Sequence, residues 1–240
     1  MSLTLPKTIK IGRLRSKERE LVQKFRDVVE GFHRAVESPI HISDLMEPRK
    51  AYWQRMKPTS FSDSTIMYFS LGYAGHEYLL GGKDGGTKGE GDLVWSPDGE
   101  TDTTIVEVKI TTKRQVASYP SELEKWVKQI LSYMALEKKL QGEIWVWYVA
   151  KPEYPELVVF SVTATRQALD RYRQQIKKKA VILRDALTKN NPSELPLCSR
   201  ELCYRSKCPN YDDCQPEGRW KPKRLSKMGG SHSLFRTWTI

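Results

Sequence analysis

Six glycines crowd into residues 81–91, and the period of the hydrophobic residues changes across them. Ahead of this run the pattern is helical. Ser16 is placed to cap a helix in which Leu21, Val22, Phe25, Val28, Val29 and Phe32 recur on one face, with Glu18 and Glu20 in the first turn. A second helix is predicted over residues 43–56 and a third over 63–80 through Ile66, Met67, Phe69, Leu71 and Tyr73. Beyond the glycines, β-branched runs at 91–95 and 103–110 flank Pro97-Asp98-Gly99 and predict a β-hairpin. A helix over 121–139, strands at 143–150 and 157–162, and a long helix over 165–188 follow. Alternation of this kind predicts an α/β fold, a mixed sheet flanked by helices. Regular patterning stops after Pro192 and Pro196. The expected organisation is a helical region over 1–80, a core over 81–190 that takes His76 from the preceding helix, and a C-terminal lobe with a basic tail over 191–240.

Length and composition bound the class. A chain of 240 residues suffices for one ordinary core plus an appendage, and 39% hydrophobic residues with seven Trp argue against disorder. The strongest apolar run, 144–150, is far short of the ~20 residues a membrane helix needs, and residues 1–12 lack a signal-peptide apolar region. A soluble, cytoplasmic protein with no membrane partner is therefore expected. The net charge of +11 is unevenly placed: residues 166–189 carry eight basic side chains against two acidic, and 198–240 carry nine against four. Such density suits phosphate backbones, though a solvated basic face would look the same.

The chemistry-bearing residues lie around the predicted hairpin. Asp92 stands at the entry of one strand, and Glu107-Val108-Lys109 lies in the other. Strand alternation sends Glu107 and Lys109 to one face and Val108 to the opposite one. Two carboxylates on adjacent strands make an oxygen-rich site for Mg²⁺ or Mn²⁺, to which the Val108 carbonyl adds a further donor. The Lys109 ammonium is placed to orient a water and to steady charge on a phosphate. The plainer alternative makes Asp92 a turn residue and Glu107 and Lys109 a surface pair.

Order and spacing here resemble the PD-(D/E)XK nuclease superfamily, and three further segments are similar to its RecB-like branch. Gln129-Ile-Leu-Ser-Tyr133 resembles the branch's Q-x-x-x-Y helix motif, whose i and i+4 side chains share a face. Gly72-Tyr-Ala-Gly-His76-Glu77 resembles the helix that contributes a metal-ligating histidine, and the segment from Ile42 to Tyr52, with Glu47-Pro48-Arg49, resembles the one in which CRISPR-associated RecB-like exonucleases carry Cys-Pro-Arg. The resemblance implies a restriction-endonuclease-like core in which His76, Asp92, Glu107 and Val108 bind the divalent ion, Lys109 serves the attacking water, and Gln129 and Tyr133 arrange the strand. It also implies a DNA path near Arg49. Lys177, Lys178 and Lys179 are the candidate phosphate contacts on the basic helix, and Tyr52, Trp53 and Tyr133 the candidate base-stacking rings.

All four cysteines of the chain, Cys198, Cys203, Cys208 and Cys214, fall within seventeen residues. In an intracellular protein such clustering points to a metal centre rather than disulfides. Zinc sites favour paired C-x₂₋₄-C knuckles, whereas close, irregular spacing with Pro209 after one thiolate suits an iron–sulfur cluster; Zn²⁺ stays open as the alternative. The resemblance implies a [4Fe–4S] cluster, held in those exonucleases by one N-terminal and three C-terminal cysteines. Here Glu47 stands at the N-terminal place and Cys198 is the additional C-terminal thiol. The expectation is a metal-dependent DNA exonuclease that prefers single strands with a free end, its cluster clamping the C-terminal lobe. Partners in recombination or CRISPR adaptation are compatible with it. An endonuclease or flap nuclease on the same core, and a noncatalytic DNA-binding adaptor, are the alternatives.

Overall fold

The computed structural model of the protein describes residues 15–31, 33–81, 85–114, 120–150, 154–198, 208 and 210–214. Helix α1 spans Arg15–Glu30, and a two-residue strand β1 (Ile40–His41) leads into α2 (Ile42–Met46) and α3 (Pro48–Met56). The single helix expected over 43–56 is thus two. Proline at 48 pushes the preceding residue out of the α region, and Glu47 sits at φ −140°, ψ 68° between them. Helix α4 (Asp63–Leu80) starts at Ser62, whose hydroxyl accepts from the Thr65 N–H, and stops at Gly81, where φ is +61°.

The strands β2 (Lys88–Glu90), β3 (Leu93–Trp95), β4 (Gly99–Glu100) and β5 (Thr104–Thr111) come next. The hairpin expected between 91–95 and 103–110 does not form. Strand β3 pairs instead with β2 antiparallel and β1 parallel, whereas β5 turns back on β4, with Gly99 opposite Val106 and Glu100 opposite Ile105. Pro97 explains the break, because it has no N–H to donate and a ladder cannot continue through it. The turn falls at Thr101–Thr104, where the Thr101 N–H reaches the Thr104 carbonyl at 2.9 Å.

Helix α5 (Pro120–Glu137), strands β6 (Gln141–Tyr148) and β7 (Glu156–Thr163), α6 (Arg166–Thr188) and the short α7 (Tyr211–Cys214) complete the described chain. The larger sheet runs β4-β5-β6-β7, with β5 and β6 parallel around the α5 crossover and β7 antiparallel. Ile105, Glu107 and Lys109 align with Gly142, Ile144 and Val146 on the face beneath α5. The approach of α5 is close: a Cβ on Gly142 would lie 2.8 Å from Ile130 Cδ1 and from Met134 Sδ. The opposite face of β5 meets α4, where a Cβ on Gly75 would lie 1.8 Å from Ile110 Cδ1. The result is a mixed α/β core in which Ile40, Ile42, Tyr52 and Leu195 join the sheet's residues in one buried cluster. No helix among the described residues is long and apolar enough to cross a membrane. The cysteine lobe falls largely outside the described residues, Cys203 included.

Several of the arginines turn inward. Arg55 is buried and donates to Asp44 at 2.7 Å and to the carbonyls of Ala35, Ser38 and Pro39 at 2.6–3.1 Å. Asp44 also accepts from Arg34 at 2.7 Å and from the His41 N–H at 2.9 Å. Removing one partner of a buried pair leaves an uncompensated charge. Asp44→Ala should therefore lower unfolding free energy by about 3–5 kcal/mol, read as a shift in urea midpoint. Asp185→Ala, in an exposed pair with Lys189, should stay within about 0.5 kcal/mol of the wild type.

Candidate active site

Strand β5 passes between two helices and carries chemistry toward its C-terminal end. Glu107 is wholly buried and forms an ion pair with Lys109, two residues along the same face. The intervening Val108 N–H donates to Asp98 Oδ2 at 2.7 Å. Asp98 precedes β4, and its other oxygen lies 3.5 Å from His76 Nδ1 on α4. On the α5 side, Gln129 Nε2 donates to Tyr133 Oη at 3.0 Å, as two residues four apart on a helix can. The carboxylates, the lysine, the imidazole and the amide–phenol pair thus come from four elements that meet around β5.

Burial sets the electrostatics. Loss of hydration pushes the Glu107 carboxyl up to about 7; Asp98 adds to the rise and Lys109 opposes it. Burial by itself would lower the Lys109 ammonium, but the negative charges of Glu107 and Asp98 outweigh it and hold the group above its ordinary value. Tyr133 is raised strongly, first by burial and then by Glu107, so its phenol stays protonated and available as a donor. Lys125 lies one turn before Gln129. Its ammonium is lowered first by lost hydration, with Glu47 opposing and the nearby charges of Lys50 and Lys109 adding to the fall.

An open cleft of about 730 Å³ borders this arrangement, with Asp98, Lys109, Val108 and His76 in its lining and the Glu107 carboxyl buried behind them. Glu107 Oε2 is buried and accepts no hydrogen bond from any described residue. An orphaned carboxylate oxygen beside a second carboxylate is the donor chemistry that Mg²⁺ and Mn²⁺ favour. Asp98 and Glu107 therefore fit a hard divalent cation. Among the described residues, no three His, Cys, Asp or Glu side chains converge as a ready-made metal site.

Several expected positions fall elsewhere. Asp92 does not join Glu107: it accepts a two-armed contact from Arg184 on α6, at 2.6 and 2.8 Å, beside the smaller sheet. Asp98 occupies the place expected of it. The signal was present in the Pro97-Asp98 dipeptide nine residues before Glu107, which also reads as a turn. Arg49 is buried rather than lining a DNA path. Its guanidinium donates to the carbonyls of Leu195 and Ser193 and lies 3.9 Å from Cys214 Sγ, supplying donors to a segment without regular structure. Lys177 pairs with Glu90 at 2.5 Å, as Arg173 does at 2.7 Å, which neutralises part of the basic helix. Lys178 is exposed, and Lys179 borders a second cavity of about 320 Å³ with Glu47 and Glu194. Tyr52 is core, its hydroxyl donating to Asn190 Oδ1 at 2.7 Å, and Tyr133 is buried, so neither presents a free ring face; Trp53 is half-buried, edge-on against Tyr52 with the Lys57 ammonium 5.7 Å over its ring. Cys214 is buried, Cys198 and Cys208 are half-buried, and Cys203 lies outside the described residues. Lys125 was not anticipated, although its place four residues before Gln129 puts it on the same helix face.

No protein-family model matches this chain, and no curated protein does. Among solved structures, the crystal structure of SSO0001 is similar at 15% identity and TM-score 0.47, covering 70% of this chain and 86% of its own. An alkaline exonuclease (LHK-Exo) from Laribacter hongkongensis is similar at 10% identity and TM-score 0.39, covering 70% and 95%. Its complex with dAMP gives 13% identity and the same TM-score. Likeness at this level assigns neither family nor activity, so the chemistry must come from the residues themselves.

The raised Glu107 carboxyl has a testable sign. Folding favours its protonated form, so its contribution to stability is fully present below the unfolded value near 4.5 and is lost as pH rises through about 7. In metal-free protein the unfolding free energy of the wild type should fall relative to that of Glu107→Gln between those values. The slope of the difference should not exceed about 1.4 kcal/mol per pH unit. Parallel curves for the two proteins would show that Glu107 titrates normally.

Proposed function

We propose that the protein is a metal-dependent nuclease that hydrolyses phosphodiester bonds in DNA. The observation that carries this reading is the convergence, on one strand, of two carboxylates and an ammonium: Asp98 on the Val108 N–H, Glu107 with one oxygen that has no hydrogen-bond partner among the described residues, and Lys109 paired to it. A divalent cation bound by Asp98 and Glu107 would polarise the scissile phosphate and stabilise the negative charge that builds on it. His76 holds or orients Asp98. Lys109, kept charged by its carboxylate neighbours, steadies the attacking water and the phosphate oxygens. Tyr133, kept protonated and supported by Gln129, donates a hydrogen bond near the same centre. Lys125 extends the positive side of the site along α5.

The finer reading is an exonuclease that requires a free end and prefers a single strand. The open cleft and the absence of a basic residue on its α4 wall support that preference. Both levels are tested on labelled linear and covalently closed circular single-stranded DNA with Mn²⁺. Asp98→Asn, Glu107→Gln and Lys109→Met should each reduce cleavage by about 10³-fold or more, since an essential ligand or charge contributes several kcal/mol to the transition state. Asp92→Asn should retain activity within a few-fold. An inactive Asp92→Asn beside an active Asp98→Asn would reverse the assignment. Degradation of the circle at the linear rate would replace exonuclease with endonuclease.

We further propose that Cys198, Cys203, Cys208 and Cys214 hold a [4Fe–4S] cluster that clamps the C-terminal segment. The donor set supports it, together with the buried Cys214 beside the Arg49 guanidinium, a positive group suited to a thiolate. Anaerobically purified protein should be brown and absorb broadly near ~400 nm, and Cys208→Ala should bleach it. Colourless protein with one equivalent of zinc would replace the cluster and keep the clamp.

A further inference from the structure

Helix α4 is unusual for a helix that packs on a sheet, because much of its aromatic surface stays in the open. Tyr68 is 59% exposed, Phe69 43% and Tyr73 56%, and all three line the cleft that holds Asp98, His76 and Lys109. Their arrangement follows the helix: Tyr68, Gly72, His76 and Leu80 recur every four residues on one ridge, and Phe69, Tyr73 and Glu77 on the next. The two glycines of the helix differ in kind. Gly75 is required by close contact with Ile110, but a Cβ on Gly72 would meet none of the described residues within 4 Å. Neither packing nor an unusual φ demands glycine at 72, and glycine is a poor helix former. Among the described residues, what it leaves is a stretch of helix backbone between Tyr68, Phe69 and Tyr73 on the cleft side.

Charge gives this wall a direction. The eighteen residues of α4 include Asp63 and Glu77 but no Lys or Arg, so the wall offers nothing to a phosphate. The cation in the lining is Lys109 on β5, opposite this wall, and it lies close enough to Lys125 on α5 for its charge to act there. We propose that the α4 wall, formed by Tyr68, Phe69 and Tyr73 around the backbone at Gly72, is a stacking surface for unpaired nucleobases. Resting on the nuclease reading, this names the substrate form: a single strand with its bases toward α4 and its phosphates toward Lys109. Planar rings suit it because every base has a π-face, so stacking is tolerant of sequence. A duplex fits this surface less well, since its bases are already stacked and its phosphates would meet a wall without Lys or Arg.

The test is equilibrium binding by the full chain in EDTA, where no cleavage occurs, to oligodeoxythymidine, an abasic strand of equal length and a duplex, followed by fluorescence anisotropy. The wild type should bind the thymidine strand at least about tenfold tighter than the abasic one, and the duplex no better than the abasic strand. Gly72→Leu and Tyr73→Ala should bring thymidine binding down to the abasic level and leave abasic binding unchanged. Gly72→Leu replaces a poor helix former where there is room, so its melting temperature should be no lower than that of the wild type, which keeps occlusion separate from misfolding. Equal wild-type binding of thymidine and abasic strands would overturn the stacking surface while leaving the nuclease reading standing. So would variants that weaken both strands equally, or a wild-type oligomer that Gly72→Leu dissociates. Failure to bind any of the three nucleic acids would remove both.

Discussion

A carboxylate with no exposed surface is the constraint around which this molecule is arranged. Glu107 sits under α5 in the middle of the sheet's buried face, where hydration is gone and an unpaired negative charge would be too costly to keep. Lys109 offsets that cost from the same strand, and the high value of the Glu107 carboxyl shows that the offset is incomplete. Among the described residues nothing donates to Glu107 Oε2, the position that a hard cation would satisfy under the proposed reading. Asp98 and Tyr133 take part in the same balance, one adding negative charge and the other a protonated phenol.

The arginines solve a different problem. Long loops between short elements leave carbonyls without partners, and Arg49, Arg55 and Arg184 supply donors to them. Arg184 does so while clamping Asp92, and Arg49 does so while reaching Cys214. Arg173, Lys177 and Arg184 of α6 are likewise paired, with Glu90 and Asp92, so net charge overstates what α6 offers to a nucleic acid. Positive charge near the site comes instead from Lys109, Lys125 and Lys50, which occupy three separate elements.

The cleft is asymmetric as a consequence. Its α4 wall is aromatic, with Glu77 as its acidic residue, and the other side presents Asp98, Val108, Lys109 and Ile110. The close approach of α4 at Gly75 holds the wall against the sheet, and the open backbone at Gly72 leaves room beside it.

What the sequence determined by itself were the features that depend on near neighbours. The change from helical to strand period across 81–91, the long helices α5 and α6, the shared face of Glu107 and Lys109, and the contact of Gln129 with Tyr133 all follow from repeats of two or about four residues. The clustering of the cysteines was equally legible, although what they bind is not decided by spacing. Tertiary structure decided which acidic residue faces Glu107. Asp92 and Asp98 are equally plausible as local sequence, and the choice turned on Pro97, which ends one pairing, and on β1, fifty residues earlier, which claims β3 for another sheet. It also decided that Arg49 and Tyr52 lie inside while Tyr68 and Tyr73 lie in the cleft. A helix pattern identifies an apolar stripe but not the neighbour that covers it, and here α4 is longer and more apolar than the sheet beneath it can cover.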